Sequence, residues 1–156
     1  MALRERVRRR RMQERNPVKK TALTAMEFIL YLVGFLFVLG LIGAAYYQFN
    51  ITRQKTSLIN SFNALLSGLN SYYSSNQKYP AGSGWSWNSG YAYVPPNIQN
   101  GGWQYSCNSN TITITTPPID NAKVRTQVLQ YFQSKCDAAS TSGNSAVCTL
   151  YNRVCY

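Results

Sequence analysis

The chain has no histidine and only five acidic residues among 156. Those absences leave little from which to build a general acid/base pair, a zinc site of the usual kind or a serine triad. An enzyme is not expected, and neither a metal nor a cofactor is called for. The four cysteines contain no CxxC pair, so a redox or metal motif lacks its usual spacing. Proline is missing from Val18 to Tyr79, so nothing in that stretch has to break a helix. Against the scarcity of acid stand 16 Lys+Arg and a net charge of +11. Residues 1–22 carry nine of those bases (Arg4, Arg6, Arg8, Arg9, Arg10, Arg11, Arg15, Lys19 and Lys20) and two Glu. Seven of the eleven net charges therefore sit in the first 22 residues.

Beyond the basic segment the chain turns apolar. Phe28 to Tyr47 runs for 20 residues without a charge, enough to cross a bilayer as one helix. The basic flank on its N-terminal side predicts an N-in, C-out topology, and Tyr46 and Tyr47 suit the far interface. The apolar run exceeds a signal-peptide h-region and lacks a good small-residue cleavage site at its end. From Ile51, the residues Leu58, Phe62, Leu65, Leu66, Leu69 and Tyr73 recur at spacings of three and four between polar residues. One helix from about Thr24 to about Ser74 is predicted, roughly 75 Å long. Half of it would be membrane span and half the spine of a domain.

Beyond Ser74 a stretch rich in Asn, Ser, Gly, Tyr and Trp reads as loop to about Asn100. Trp103 to Cys107 and Thr111 to Thr115 alternate around Asn108-Ser109-Asn110, which predicts an antiparallel hairpin with Ile112 and Ile114 facing the spine. Asp120 is placed to cap a short helix carrying Val124, Val128, Leu129 and Phe132 on one face and ending near Cys136. A Ser/Thr/Gly/Asn loop and a last strand from about Val147 to Val154 complete an α+β domain, a long N-terminal helix packed on a small antiparallel sheet. Three parts are expected: a basic leader over 1–22, a transmembrane helix over 23–50 and an extracytoplasmic domain over 51–156.

All four cysteines, Cys107, Cys136, Cys148 and Cys155, fall in the part sent outward. An even number there reads as two disulfides with three possible pairings. Cys148 and Cys155 on one extended strand would lie about 23 Å apart, beyond a disulfide's reach. Unless Tyr151-Asn152-Arg153 turns sharply, Cys136–Cys148 with Cys107–Cys155 is the favoured pairing. The span also contains Gly34, Gly40, Gly43 and Ala44, of which Gly40 and Ala44 form a small-xxx-small pair that lets helices approach closely. Trp85, Trp87, Tyr91 and Tyr93 are expected to pack the loop region, the rival reading being an adhesive aromatic surface. Lys123, Arg125, Lys135 and Arg153 offer weak attraction for DNA or acidic surfaces.

The junction Lys19-Lys20-Thr21-Ala22-Leu23-Thr24-Ala25-Met26-Glu27, followed by the apolar run, resembles the type IV pilin family and its relatives the pseudopilins. The family pattern is a basic leader, a small residue at the cut, an apolar first mature residue, Thr often second and Glu fifth. Counted from Leu23, Thr24 is second and Glu27 fifth; Ala22 stands where glycine is usual. Tyr72-Tyr73 through Tyr79-Pro80 is similar to the tyrosine-rich exit of a pilin helix, and the 22-residue leader looks more like type IVb.

The resemblance implies a cut between Ala22 and Leu23 by a prepilin peptidase, N-methylation, and assembly by inner-membrane machinery into a helical homopolymer at the cell surface. Glu27 at the edge of a hydrophobic span is costly without a partner, and the new α-amine of a neighbour's Leu23 would supply one. The other reading of Glu27 is a carboxylate solvated at headgroup level or favoured by the helix dipole. The alternatives to a major pilin are a pseudopilin or minor pilin, or a single-span receptor that retains its leader.

Overall fold

The computed structural model describes residues 17–88 and 93–155, with side chains from Thr24 onward. The expected leader lies outside the described residues up to position 16. The described chain contains three helices and five strands in the order α1 (Pro17–Asn76), β1 (Gly82–Ser83), α2 (Pro96–Gln99), β2 (Gln104–Asn108), β3 (Thr111–Thr115), α3 (Ala122–Gln133), β4 (Ala138–Ser142) and β5 (Ser145–Leu150). It divides into two compact units, Met1–Tyr47 and Gln48–Tyr156.

The first unit is helical throughout its described length. The helix begins at Pro17 and not near Thr24, because proline suits the first helical position and the residues after it contain no breaker. Every residue from Thr24 to Tyr47 is exposed, including Phe28, Ile29, Leu30, Tyr31 and Phe35. An 18-residue stretch of this helix is apolar and long enough to cross a membrane, with none of it buried. A helix apolar on every side has no polar face to give to water.

In the second unit, the remainder of α1 packs against a five-stranded antiparallel sheet of order β1-β2-β3-β5-β4. The period-three-and-four pattern places Phe62, Leu65 and Leu69 fully inside, with Leu58 and Leu66 half-buried. Ile51 is also buried. Tyr73, expected on this face, sits at the rim; Tyr72 does the packing instead, its ring meeting Trp87 edge-on at 5.6 Å. The helix ends where Gln77 turns to φ 58° and donates its N–H to Tyr73 O at 2.7 Å, a left-handed cap in a place glycine usually fills.

Strand alternation separates the two faces of the sheet. Tyr105, Cys107, Ile112, Ile114, Ala146 and Cys148 are buried, whereas Thr111, Thr113, Thr115, Val147 and Thr149 are half-buried on the other side. The expected hairpin is present, its strand starting at Gln104, with Tyr105 opposite Ile114 and Cys107 opposite Ile112. Helix α3 buries Val124, Val128 and Phe132, and Phe132 meets Phe62 of α1 with ring centroids 4.4 Å apart. Its cap is Asn121, not Asp120: the Asn121 Oδ1 accepts from Lys123 N and Val124 N at 3.0 and 3.3 Å. The side chain one residue later reaches the first free N–H groups, and Asp120 stays exposed. The helix stops at Gln133, short of Cys136.

Three further corrections concern strands and loops. Ala138–Ser142, expected as loop, is edge strand β4, joined to β5 by the Gly143-Asn144 turn with Gly143 at φ 57°. An edge strand needs backbone pairing on one side only, so its small residues lack the apolar alternation that marks buried strands. The last strand starts earlier than expected and ends at Leu150, after which Asn152 turns at φ 55°. The region to Asn100 also holds β1 and the short helix α2.

Candidate functional site

The sequence points to two candidate places, the junction at the start of the apolar helix and the cysteine framework of the folded unit. At the junction the backbone of Ala22 and Leu23 is helical, and their side chains lie outside the described ones. Thr24 and Glu27 are helical and exposed. Glu27 is the one charge between Lys20 and Arg53.

Gly34, Gly40 and Gly43 have no heavy atom within 4 Å of where a side chain would begin, apart from their own helix. Together with exposed Ala44 they leave shallow places along the helix where another backbone can come close. The apolar residues around them are bare: Phe37 is 68% exposed and Tyr46 72%. An apolar surface of this kind is compatible with lipid or with other helices against it.

The cysteines pair as favoured from sequence. Cys107–Cys155 joins Cα atoms 5.9 Å apart and Cys136–Cys148 joins Cα atoms 5.7 Å apart, with no free cysteine. The first ties the chain end to β2; the second fastens the segment after α3 to β5. The Tyr-Pro exit is part of the same structure, which sequence spacing did not reveal. Tyr79 is buried, bridges to Cys155, donates its N–H to Val154 O at 3.0 Å and stacks on Tyr73 at 4.8 Å. The Tyr105 hydroxyl donates to Pro80 O at 2.6 Å. Burial, with Tyr72 and Tyr79 beside it, holds that hydroxyl well above the usual phenol range.

Of the loop aromatics, Trp87 is buried and Trp85 half-buried, each within 6.2 Å of the other and of Tyr105 by ring centroid. They pack the loop, as expected. Tyr93 is exposed and Tyr91 lies outside the described residues. The cations are separated: Lys123 and Arg125 stand on α3, Arg125 donating to Ile119 O and Asn144 Oδ1, while Lys135 and Arg153 line a small cavity with Leu66, Leu69 and Tyr79. They form no continuous basic track. Among the described residues no group of three His, Cys, Asp or Glu side chains is placed to hold a metal.

The architecture defines an α+β chain whose apolar helix is suited to membrane anchoring and whose folded unit is closed by two disulfides. No protein-family model matches the chain, nor does any curated protein or solved structure.

Proposed function

We propose that this chain is the precursor of a structural subunit of a type IV pilus-like surface filament, with no enzymatic role of its own. A peptidase of the prepilin class would remove residues 1–22, and the mature chain would start at Leu23. The carrying observation is the part of α1 that follows: exposed from Thr24 to Asn50, with Glu27 as the one charge between Lys20 and Arg53, and continuing into a disulfide-closed α+β unit. Before assembly, lipid covers that surface, with the N-terminus cytoplasmic and the folded unit outside. In the filament, the helices of other copies replace the lipid, and Glu27 meets the α-amine of a neighbouring Leu23.

Intact-mass measurement on protein sheared from cell surfaces tests this. A chain starting at Leu23, with or without one methyl group, supports it. Retention of residues 1–22 would sink it in favour of a single-span membrane receptor. Mature protein confined to the membrane and missing from sheared filaments would favour a pseudopilin or minor pilin.

A further inference from the structure

The open face of the sheet carries a cavity of about 270 Å³ bounded by Ser83, Trp85, Gln104, Ser106, Thr113 and Thr115. Its position follows from strand alternation. Gln104 and Ser106 on β2, and Thr113 and Thr115 on β3, point away from the core because Tyr105, Ile112 and Ile114 point into it. The register sets Gln104 opposite Thr115 and Ser106 opposite Thr113, and Ser83 pairs with Ser106 from the edge strand. Five neutral hydrogen-bonding side chains thus converge on one hollow, with an indole at its side.

Two properties suit this hollow to a neutral polar ligand. Among the described residues, none of those five side chains hydrogen-bonds to the rest of the protein. Some hydroxyls elsewhere are committed, Thr116 Oγ1 accepting from Ala146 N and Thr52, Ser74, Thr126 and Ser134 bonding to backbone carbonyls, while others on the sheet, such as Thr111, Thr141 and Thr149, are as open to solvent bonds as these five. The indole is also pre-positioned, since Trp85 is held against Trp87 and Tyr105 at 6.2 and 6.1 Å. No charged side chain lines the cavity, although the folded unit carries an excess of bases.

We propose that this hollow binds one ring of a neutral saccharide, its C–H face against Trp85 and its hydroxyls on Ser83, Gln104, Ser106, Thr113 and Thr115. A ligand for the site must be uncharged, must offer several donors and acceptors on one side and must present an apolar face on the other. A pyranose meets all three conditions; an acidic ligand or a purely apolar one does not. The volume lies just under the roughly 300 Å³ at which drug-sized pockets begin, so the site takes a single ring and leaves the rest of a glycan in solvent. Binding to one copy is therefore weak, and an assembly that displays many copies would strengthen it by multivalency. The single-copy site does not depend on the filament reading.

The experiment uses the full chain in a zwitterionic detergent without a sugar headgroup. Lactose, cellobiose, N,N′-diacetylchitobiose and sialyllactose are titrated by saturation-transfer NMR and tryptophan fluorescence. At least one neutral disaccharide should bind with a millimolar Kd. Trp85→Ala should weaken it about tenfold or more, and Thr113→Val, which keeps the shape and removes the hydroxyl, severalfold. Lys135→Ala should leave it unchanged, and circular dichroism should show both groove variants folded. Absence of binding by every neutral sugar overturns the proposal. So does binding that survives both groove variants, or binding confined to sialyllactose and lost in Lys135→Ala.

Discussion

Two single side chains carry distinct expectations. At Glu27, the helix leaves the carboxylate exposed, so Glu27→Ala should not disturb membrane insertion or cleavage. In the proposed filament the same change would abandon the neighbour's α-amine, and an unpaired buried charge costs about 3–5 kcal/mol. Processed protein should accumulate in the membrane with few or no filaments, and Glu27→Asp should be intermediate; normal filament numbers by electron microscopy for the alanine variant would remove the role assigned to Glu27. Tyr105 is a question of pH. Its pKa is raised in the folded state above the unfolded value of about 10, so the unfolded chain loses this proton first as pH rises. The stability that Tyr105 contributes is complete below about pH 10 and is lost above it, by up to about 1.4 kcal/mol per pH unit. Urea unfolding at graded alkaline pH should show that decline, and Tyr105→Phe should flatten it. The variant should cost about 1–3 kcal/mol at neutral pH by leaving Pro80 O without its donor.

Elements impose their own constraints. Helix α1 passes close to Tyr93-Val94 at Gly68, where a side chain would begin 3.2 Å from Val94 Cγ2 and 3.4 Å from Tyr93 O, a tight fit even for a methyl group. Gly68→Leu should therefore destabilise the folded unit by about 1–3 kcal/mol through overpacking, measured as a lowered urea midpoint. The two disulfides join different elements and close loops of different length, with sequence separations of 48 and 12. On chain entropy, replacing Cys107 and Cys155 with alanine should cost about 4 kcal/mol, and replacing Cys136 and Cys148 about 3. Hydrogen exchange should separate them further. Loss of the first pair frees the Tyr79 and Val154 contacts, whereas loss of the second loosens the end of α3 from β5.

At the scale of the whole chain, the proposed reading puts lipid or other copies around the apolar helix. Replacing Ala22 with a bulky residue tests the proposed transition from lipid to filament. If a prepilin-type peptidase cuts here as proposed, its cleft must accept a small side chain, so Ala22→Phe should leave full-length protein in the membrane, visible as a band carrying residues 1–22 on immunoblots. The helix runs unbroken through Ala22 and Leu23, so the proposed cut would require that bond to leave helical geometry first. Reduction should act on the folded unit and spare the apolar helix, because all four cysteines lie beyond residue 106. Far-UV circular dichroism under reducing conditions should keep most of its helical signal while near-UV bands from the tryptophans weaken.

Local chemistry and patterning determined the long helix, its apolar half and the amphipathic face of Phe62, Leu65 and Leu69. They also determined the Gln104–Thr115 hairpin, because period and composition are properties of neighbouring residues. The favoured disulfide pairing is the one found, but reach excluded only a Cys148–Cys155 bond, and on a premise of one extended strand that the end of β5 at Leu150 and the turn at Asn152 do not meet. Only the tertiary structure decided the rest. Ala138–Ser142 became a strand because β5 offered an open edge, which no pattern of small residues announces, although Gly143-Asn144 was a turn signal in plain view. The cap passed from Asp120 to Asn121 because the position of the first helical turn, and not the acidity of the side chain, decides which oxygen reaches Lys123 N and Val124 N. The hollow beside Trp85 was invisible for a similar reason. Its members come from β1, β2, β3 and the loop after β1, and only strand register brings those hydroxyls, otherwise uncommitted, to one place.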